Sequence, residues 1–333
     1  MADEQKIYLY VTTTLDKDGR KFFLEELEGE EQISGLFRYR LKLRTDDNIL
    51  DFSRIVGKSV TVTIEHYKGT KRYINGIVSL FSQAENNERF TIYYAEIRPW
   101  LWNLTLTSDS RIFQNQTALD IIASVFSNLG FSDYRDDTSK AYRSREYYVQ
   151  YQETDFNFIS RLMEEEGIFY FFEHRDGIHT LVLADDADAH KPCPDLESAI
   201  FKYVSAEWVE ENVINSCRLE QQMIPTRYAT DDFNFETPET DLLTSVDGKE
   251  VGNLRIYEYP GKFTNTGDGE TIAGKRIESH ELPQKVLKGE GFCRAFIAGY
   301  KFDLKGHDRA DLNNTYVIRS LSSNAGHERY VNT

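Results

Sequence analysis

The chain has 333 residues and a formal net charge of -16, from 39 Lys and Arg against 55 Asp and Glu. That length accommodates two or three domains. The charge balance repels phosphate backbones and anionic lipid surfaces, so nucleic acid is not an expected partner. No run of about 18 apolar residues is present to span a bilayer.

Aromatic residues make up 13% of the chain, with 20 Tyr and 21 Phe, and these rings pack well on pleated surfaces. The first hundred residues read as strands. Candidates lie at Ile7–Thr14, at Phe22–Leu27 after the turn Asp16-Lys17-Asp18-Gly19, and at 36–45. In the last of these, Phe37, Tyr39, Leu41 and Leu43 share one face, and Arg38, Arg40, Lys42 and Arg44 the other. Further strands follow at 59–67, 72–81 and 89–100. Six strands without a convincing helix predict a small barrel or sandwich.

The middle of the chain changes period. Thr117, with Asp120 three residues on, predicts a helix start. Leu119, Ile122, Val125, Phe126 and Leu129 give that helix its apolar stripe, and Gly130 ends it. A strand at 146–152 sets Tyr147, Val149 and Tyr151 on one face. A second helix runs from Asp155 to Glu166, with Phe156, Ile159, Leu162 and Met163 as its stripe and Gly167 as its stop. Residues 168–174 and 179–185 flank Arg175-Asp176-Gly177 and predict a hairpin with a type I′ turn. Leu162 and Phe171 are expected to be buried between the second helix and this hairpin, with Phe169 also in the core. From Ala199 the strands resume. The stretch 226–249 reads as a long acidic loop, and a third helix is expected over Asp268–His280. VSLFSQA (78–84) faintly echoes RSLSSNA (319–325), as two related β domains would.

Chemical motifs are weak throughout. Gly57-Lys58-Ser59 resembles the end of a phosphate-binding loop, but Phe52 stands where the first glycine is required. His174 and His179 flank the hairpin turn and read as exposed, because two ligands alone do not hold zinc. Cys193, Cys217 and Cys293 are too scattered for a metal site or disulfide frame, and read as free thiols. Glu164, Glu165 and Glu166, with Glu153 and Asp155, are the carboxylates a glycosidase would use. Adjacent helical glutamates point about 100° apart, so a solvated helix end, with Arg161 reaching Glu165, is the plainer reading. No catalytic, cofactor or metal residue is assigned. The Arg38/Arg40/Lys42/Arg44 stripe reads either as a solvated strand face paired with the acidic run at 25–31 or as a contact for an acidic partner subunit. The N-terminus MADEQKIYLYV has neither the basic region nor the apolar core of a signal peptide, so synthesis in the cytoplasm is expected.

Longer blocks carry a resemblance. RPWLWNLTLTSDSRIFQ (98–114), REYYVQYQETDFNFISRLMEEEGIFYFFEH (145–174), HTLVLADD (179–186) and GYKFDLKGHDRADLNNTYVIRSLS (299–322) are similar to signature segments of the VgrG family of type VI secretion spike proteins. LEGEEQISGLFRYRLKL resembles the family's opening segment. The resemblance covers almost the whole chain. It implies a β-rich α+β, phage tail hub-like fold: two small related β-barrel domains, 1–105 and 199–333, flanking an α+β domain at 106–198. It also implies a structural hub, not an enzyme, with no cofactor. The implied assembly is a homotrimer that adapts a hexameric tail tube to a trimeric needle. Baseplate components are further implied partners, and effector or tip proteins would bind through a C-terminal region. Export from the bacterial cytoplasm through the secretion apparatus follows from the same resemblance. The family's OB-fold and β-helix needle are not among these 333 residues. Trp100 and Trp102 would share a strand face in the core, and Asp109 and Arg111 would pair at the turn into the middle domain. The hub of a phage tail or other contractile particle is the nearest alternative. A peptidoglycan hydrolase using Glu153 or Glu166 is the alternative of another class.

Overall fold

The computed structural model describes residues 9–16, 22–65, 70–86, 89–203 and 212–326. The predicted turn at 16–19 and strand ends at 7–8 and 66–67 fall partly or wholly outside them, as does most of the segment 200–210. Two compact units form: residues 1–164, 168–214 and 292–333 in the first, and 165–167 with 215–291 in the second.

The first unit begins with β1 (Leu9–Thr12), β2 (Phe23–Gln32), β3 (Arg38–Thr45), β4 (Ser59–Glu65), β5 (Lys71–Asn86) and β6 (Thr91–Arg98). Alternation explains their inner face: Leu24, Leu27, Tyr39, Leu41, Leu43, Val62, Ile74, Tyr93 and Ile97 are all buried. Phe81 and Tyr93 stack with ring centres 5.2 Å apart. Pro99 then starts a 3-10 helix, Trp100–Thr105.

Next come β7 (Ser108–Gln116), α1 (Ala118–Asn128), β8 (Tyr134–Asp136), β9 (Arg145–Thr154), α2 (Asp155–Glu166), β10 (Phe169–Arg175) and β11 (Ile178–Ala184). Thr117 and Asp120 form a reciprocal capping box on α1. Its Ile121, Ile122, Val125 and Phe126 are buried. In α2 the buried residues are Asp155, Phe158, Ile159, Leu162 and Met163, while Phe156 is half-buried. Gly130 and Gly167 take positive φ after the two helices. β10 and β11 pair from Phe169↔Ala184 to Arg175↔Ile178, and β8 adds in parallel to β11. Of the two residues between the hairpin strands only Gly177 has positive φ, so the turn is not type I′.

β12 (Ser198–Phe201) pairs in parallel with the first residues of β13 (Val213–Gln221). In the second unit follow β14 (Arg227–Thr230), β15 (Thr244–Asp247), β16 (Arg255–Glu258), α3 (Thr266–Glu281) and β17 (Lys285–Gly291). β14 is central, antiparallel to β15 and parallel to β16, so the predicted 226–249 loop is a strand pair around a shorter connection. Four-residue strands are too short to show a period. Tyr228, Ala273 and Ile277 are its small core, with Val246 and Ile256 packed against them.

The chain returns to the first unit in β18 (Lys301–Lys305), β19 (Thr315–Val317) and β20 (Ser320–Gly326). β18 lies beside β12 and β19 beside β18. β20 instead pairs antiparallel with β2, from Glu26↔Gly326 to Gln32↔Ser320. It completes a curled seven-stranded sheet ordered β1-β4-β5-β6-β3-β2-β20. The two echoing segments are therefore β5 and β20 of one sheet. One apolar core runs from this sheet through α1, α2 and the hairpin, and Phe37 meets Phe172 edge-on at 5.1 Å. The sheet and the α+β elements fold as one packed body, across the expected boundary at 105.

Candidate functional site: a charged strand face over buried polar clusters

The outer face of β3 carries the basic stripe. Arg38 and Arg40 both approach Glu96 on β6, at 3.6 and 3.9 Å, and Arg98 reaches the same carboxylate at 2.8 Å. Lys42 pairs with Glu26 at 3.1 Å and with Glu25 at 3.4 Å. Arg44 pairs with Glu25 at 3.1 Å and lies over the rings of Phe23 and Phe90. Glu28 and Glu30 stand opposite Arg40 and Arg38 in the strand register. The stripe is thus tied into the sheet by ion pairs to Glu25, Glu26 and Glu96, the last shared by three arginines, and Arg40 is its most exposed member.

Beneath it lies a buried ion pair that sequence reasoning missed. Arg72 on β5 donates to Glu31 at 2.9 Å, to the Tyr39 hydroxyl at 3.3 Å and to the Arg294 carbonyl at 3.3 Å. The Ala298 N–H also donates to Glu31, at 3.3 Å. All three side chains are buried. Burial pushes the Glu31 carboxyl up, against the pull of the Arg72 guanidinium. Gly29 pairs with Tyr39 across the strands, and a methyl group there would sit 1.9 Å from the Tyr39 ring. The glycine makes the space in which Tyr39 lies flat on β2.

The hairpin histidines are not exposed, contrary to the sequence expectation. They face each other across β10 and β11, and both rings pack on Phe37. His174 Nδ1 accepts from the Asn75 N–H at 3.1 Å. His179 Nε2 accepts from the Trp100 N–H at 2.9 Å, so its Nδ1 carries the proton toward Asn75 Oδ1, 2.8 Å away. Burial lowers both, His179 to about 4. Period alone cannot tell a solvated hairpin from one packed against a neighbouring sheet. Asn75, in the interior of β5, was the available signal for a buried polar partner.

A third cluster joins β7, β9 and α2. Arg111 pairs with the buried Asp155, with Gln150 at 2.7 Å and with Asp109 at 3.5 Å. Thr107 donates to Asp155 at 2.6 Å. Glu153 pairs with Arg161 at 2.6 Å. Two of the hydrolase candidates thus hold structural bonds, and Glu164 is exposed at the end of α2. Gly57-Lys58-Ser59 leads into β4 without a helix. Among the described residues no group of three or more His, Cys, Asp or Glu is placed to hold a metal.

The apolar candidates divide. Trp100 is buried, stacked on Phe131 at 4.7 Å, whereas Trp102 is half-buried under Arg98. They lie in a 3-10 turn instead of a strand, so residues two apart do not share a face. Leu162 is buried in the main core with Tyr170 and Phe172. Phe171 is buried on the other face of β10, edge-on to Tyr300 at 6.0 Å, and Phe169 is half-buried against His190 on that side. The hairpin sheet is covered on both faces, so Phe171 does not meet Leu162 as expected.

These features define a β-rich α+β protein whose polar groups are engaged in holding the fold together. An Escherichia coli type VI secretion component, c3393, matches its fold with a TM-score of 0.72 and 17% identity, over 96% of this chain and 73% of that one. The 43 kDa prophage MuSo2 tail protein of Shewanella oneidensis matches with a TM-score of 0.65 and 12% identity, over 96% and 95%. The phage tail baseplate hub (GPD) family model matches residues 30–328, and the chain belongs to that family. It is 36% identical over 298 residues to the type VI secretion spike protein VgrG1b of Pseudomonas aeruginosa, which covers 89% of this chain and 40% of that protein. It is 38% identical to VgrG1c of the same organism, over 89% and 41%. The chain thus spans about two fifths of the length of these relatives.

Proposed function

We propose that the chain is the structural hub of a type VI secretion spike, made in the bacterial cytoplasm and exported through the apparatus, and that it adapts a hexameric tail tube to a trimeric needle. The supporting observation is similarity along nearly the whole chain to proteins named as secretion spikes, joined to a hub fold. In this reading three copies form a ring, with a tube ring on one side and the needle on the other. Baseplate proteins would flank it, and effectors would attach through the region beyond the hub. The expected boundaries 1–105, 106–198 and 199–333 belong to this proposal as functional divisions. Six weak contacts to a tube ring would act together through avidity. The chain extended by its needle should bind purified hexameric tube rings, measured by co-sedimentation. Charge reversal of Arg38 and Arg40 should weaken that contact or the contact between copies. Trimers that ignore tube rings would defeat the adaptor reading.

The match to the phage tail baseplate hub family favours one second reading, the hub of a phage tail or injection particle. Neighbouring genes for capsid and terminase, instead of secretion-membrane components, would select it. Against the hydrolase reading we expect no peptidoglycan turnover by the purified chain, and unchanged assembly in Glu153→Gln and Glu166→Gln. Cleavage abolished by either substitution would overturn this.

A further inference from the structure

In the second unit, β16 is an outer strand of the sheet ordered β15-β14-β16, and no described strand pairs with its far edge. The carbonyls of Leu254 and Glu258 accept from the Thr226 and Asp231 N–H groups, on the β14 side. Backbone groups alternate along a strand, so those of Arg255 and Tyr257 turn outward to the open edge. Three of the four β16 residues are exposed. Beside its start lies an open cleft of about 490 Å³. Met223, Ile224, Leu254 and Ile256 give it apolar walls, and Arg255 is its one charged lining residue. The two segments that line it are tied together, since Leu254 both accepts from the Thr226 N–H at 2.8 Å and donates to the Thr226 hydroxyl at 3.2 Å. Arg255 stands beside Arg227 in the strand register, and Asp247 pairs with Arg227. Arg255 itself meets no carboxylate among the described residues, and its guanidinium lies 6.0 Å from the centre of the Tyr257 ring. In a chain with 55 Asp and Glu against 39 Lys and Arg, that cation is left over at the edge of an apolar cleft.

We propose that β16 and its cleft take up an extended, acidic peptide segment of a partner protein. Its backbone adds as a strand to the open edge, an apolar side chain enters the cleft, and a carboxylate close by pairs with Arg255. Each contact answers a feature that the chain leaves unmatched. Main-chain bonds at a sheet edge supply affinity, and a pocket beside the edge supplies selectivity. A guanidinium holds a carboxylate through two parallel bonds. A basic segment would set its own cation against Arg255 and Arg227. A phosphate-rich polymer would meet the repulsion of a chain carrying a net charge of -16. One carboxylate next to an apolar residue meets far less of it. A four-residue edge offers much less than the roughly 800 Å² per partner of a stable complex, so the dissociation constant should be on the order of 100 µM.

The test presents the full chain to random heptapeptides displayed on phage, where many copies per particle make weak binding detectable. Enriched peptides should carry an aspartate or glutamate within two residues of a leucine, isoleucine, valine or methionine. Made as free peptides, they should bind Arg255→Gln at least about tenfold more weakly by fluorescence anisotropy, the scale of one lost charge-assisted pair. Changing the peptide's own acid to its amide should have a similar effect. Arg255 is exposed, so the substituted chain should keep the wild-type unfolding curve. Binding should slow amide exchange across residues 254–258, which reads the same edge without a substitution. No enrichment, enriched peptides without an acid, binding untouched by Arg255→Gln, or protection away from β16 each overturns the proposal. Protection of 254–258 that rises with protein concentration in the absence of peptide would name a second copy as the occupant and overturn it as well. Tube binding is measured separately, so the failure of either reading leaves the other standing.

Discussion

Replacing Arg72 by methionine should lower the unfolding free energy by about 3–5 kcal/mol, because it leaves a buried carboxylate without its counter-charge. Arg72 holds Glu31 and the Tyr39 hydroxyl together, and it reaches the carbonyl of Arg294 more than two hundred residues further along. Methionine fills the stem of the arginine but donates nothing. Tyr39 cannot shift to compensate without leaving the pocket that Gly29 opens for it. Chemical denaturation reads the loss. Adding Glu31→Leu to the methionine variant should recover much of it, since two apolar residues of similar volume remove the stranded charge. A loss under about 1 kcal/mol for Arg72→Met, the scale of an ordinary surface change, would mean that the pair contributes little.

Acid should loosen the packing between the hairpin and the curled sheet. His179 sits near 4 in the folded protein against 6.5 when free, because burial disfavours its charged form. The unfolded chain therefore binds the proton first as pH falls. Stability is full above about pH 6.5 and declines until pH passes the folded value near 4. His179 alone accounts for about 3 kcal/mol over that window, roughly 2 of them between pH 7 and 5. His174 is lowered in the same direction by burial, by His179 and by Arg72. Glu31, raised by burial, acts in the opposite sense at the acid end. Glu173, held at about 2 chiefly by Arg135, loses its contribution only below the ordinary carboxylate range. Unfolding curves at pH 7 and pH 5 should differ by at least this amount in the wild type, and by about 2 kcal/mol less in His179→Gln, whose amide can both accept from Trp100 and donate to Asn75 while the buried His174 keeps its own share. Equal stability at the two pH values would show that the histidines titrate as though solvated.

Local features were legible in the sequence and long-range ones were not. The α1 capping box was readable because Thr117 and Asp120 are three residues apart and satisfy each other directly. The alternation in β3 was readable because period two survives wherever one face is buried. The same alternation in β9 set Tyr147, Val149 and Tyr151 together, but period does not say which face is inward. Arg111, through Gln150 and Asp155, holds the polar face in. The buried Arg72 gave no sign, since a charged residue in a strand reads as an outward one until its partner on another strand is known. β20 was assigned to a second barrel because nothing local in 320–326 names β2 as its neighbour.

That last pairing bears on how the molecule is made. Synthesis proceeds at about 5–20 residues per second. Some 290 residues separate the end of β2 from the start of β20, so the β2 edge emerges roughly 15–60 s before its mate exists. An open edge is a template for wrong partners. β2 enters this interval with Glu25, Glu26, Glu28, Glu30 and Glu31 along its length. Another copy of the same strand, on a neighbouring nascent chain, would meet it charge against charge. Repulsion of that kind weighs against adhesion of two such edges until the final strand arrives.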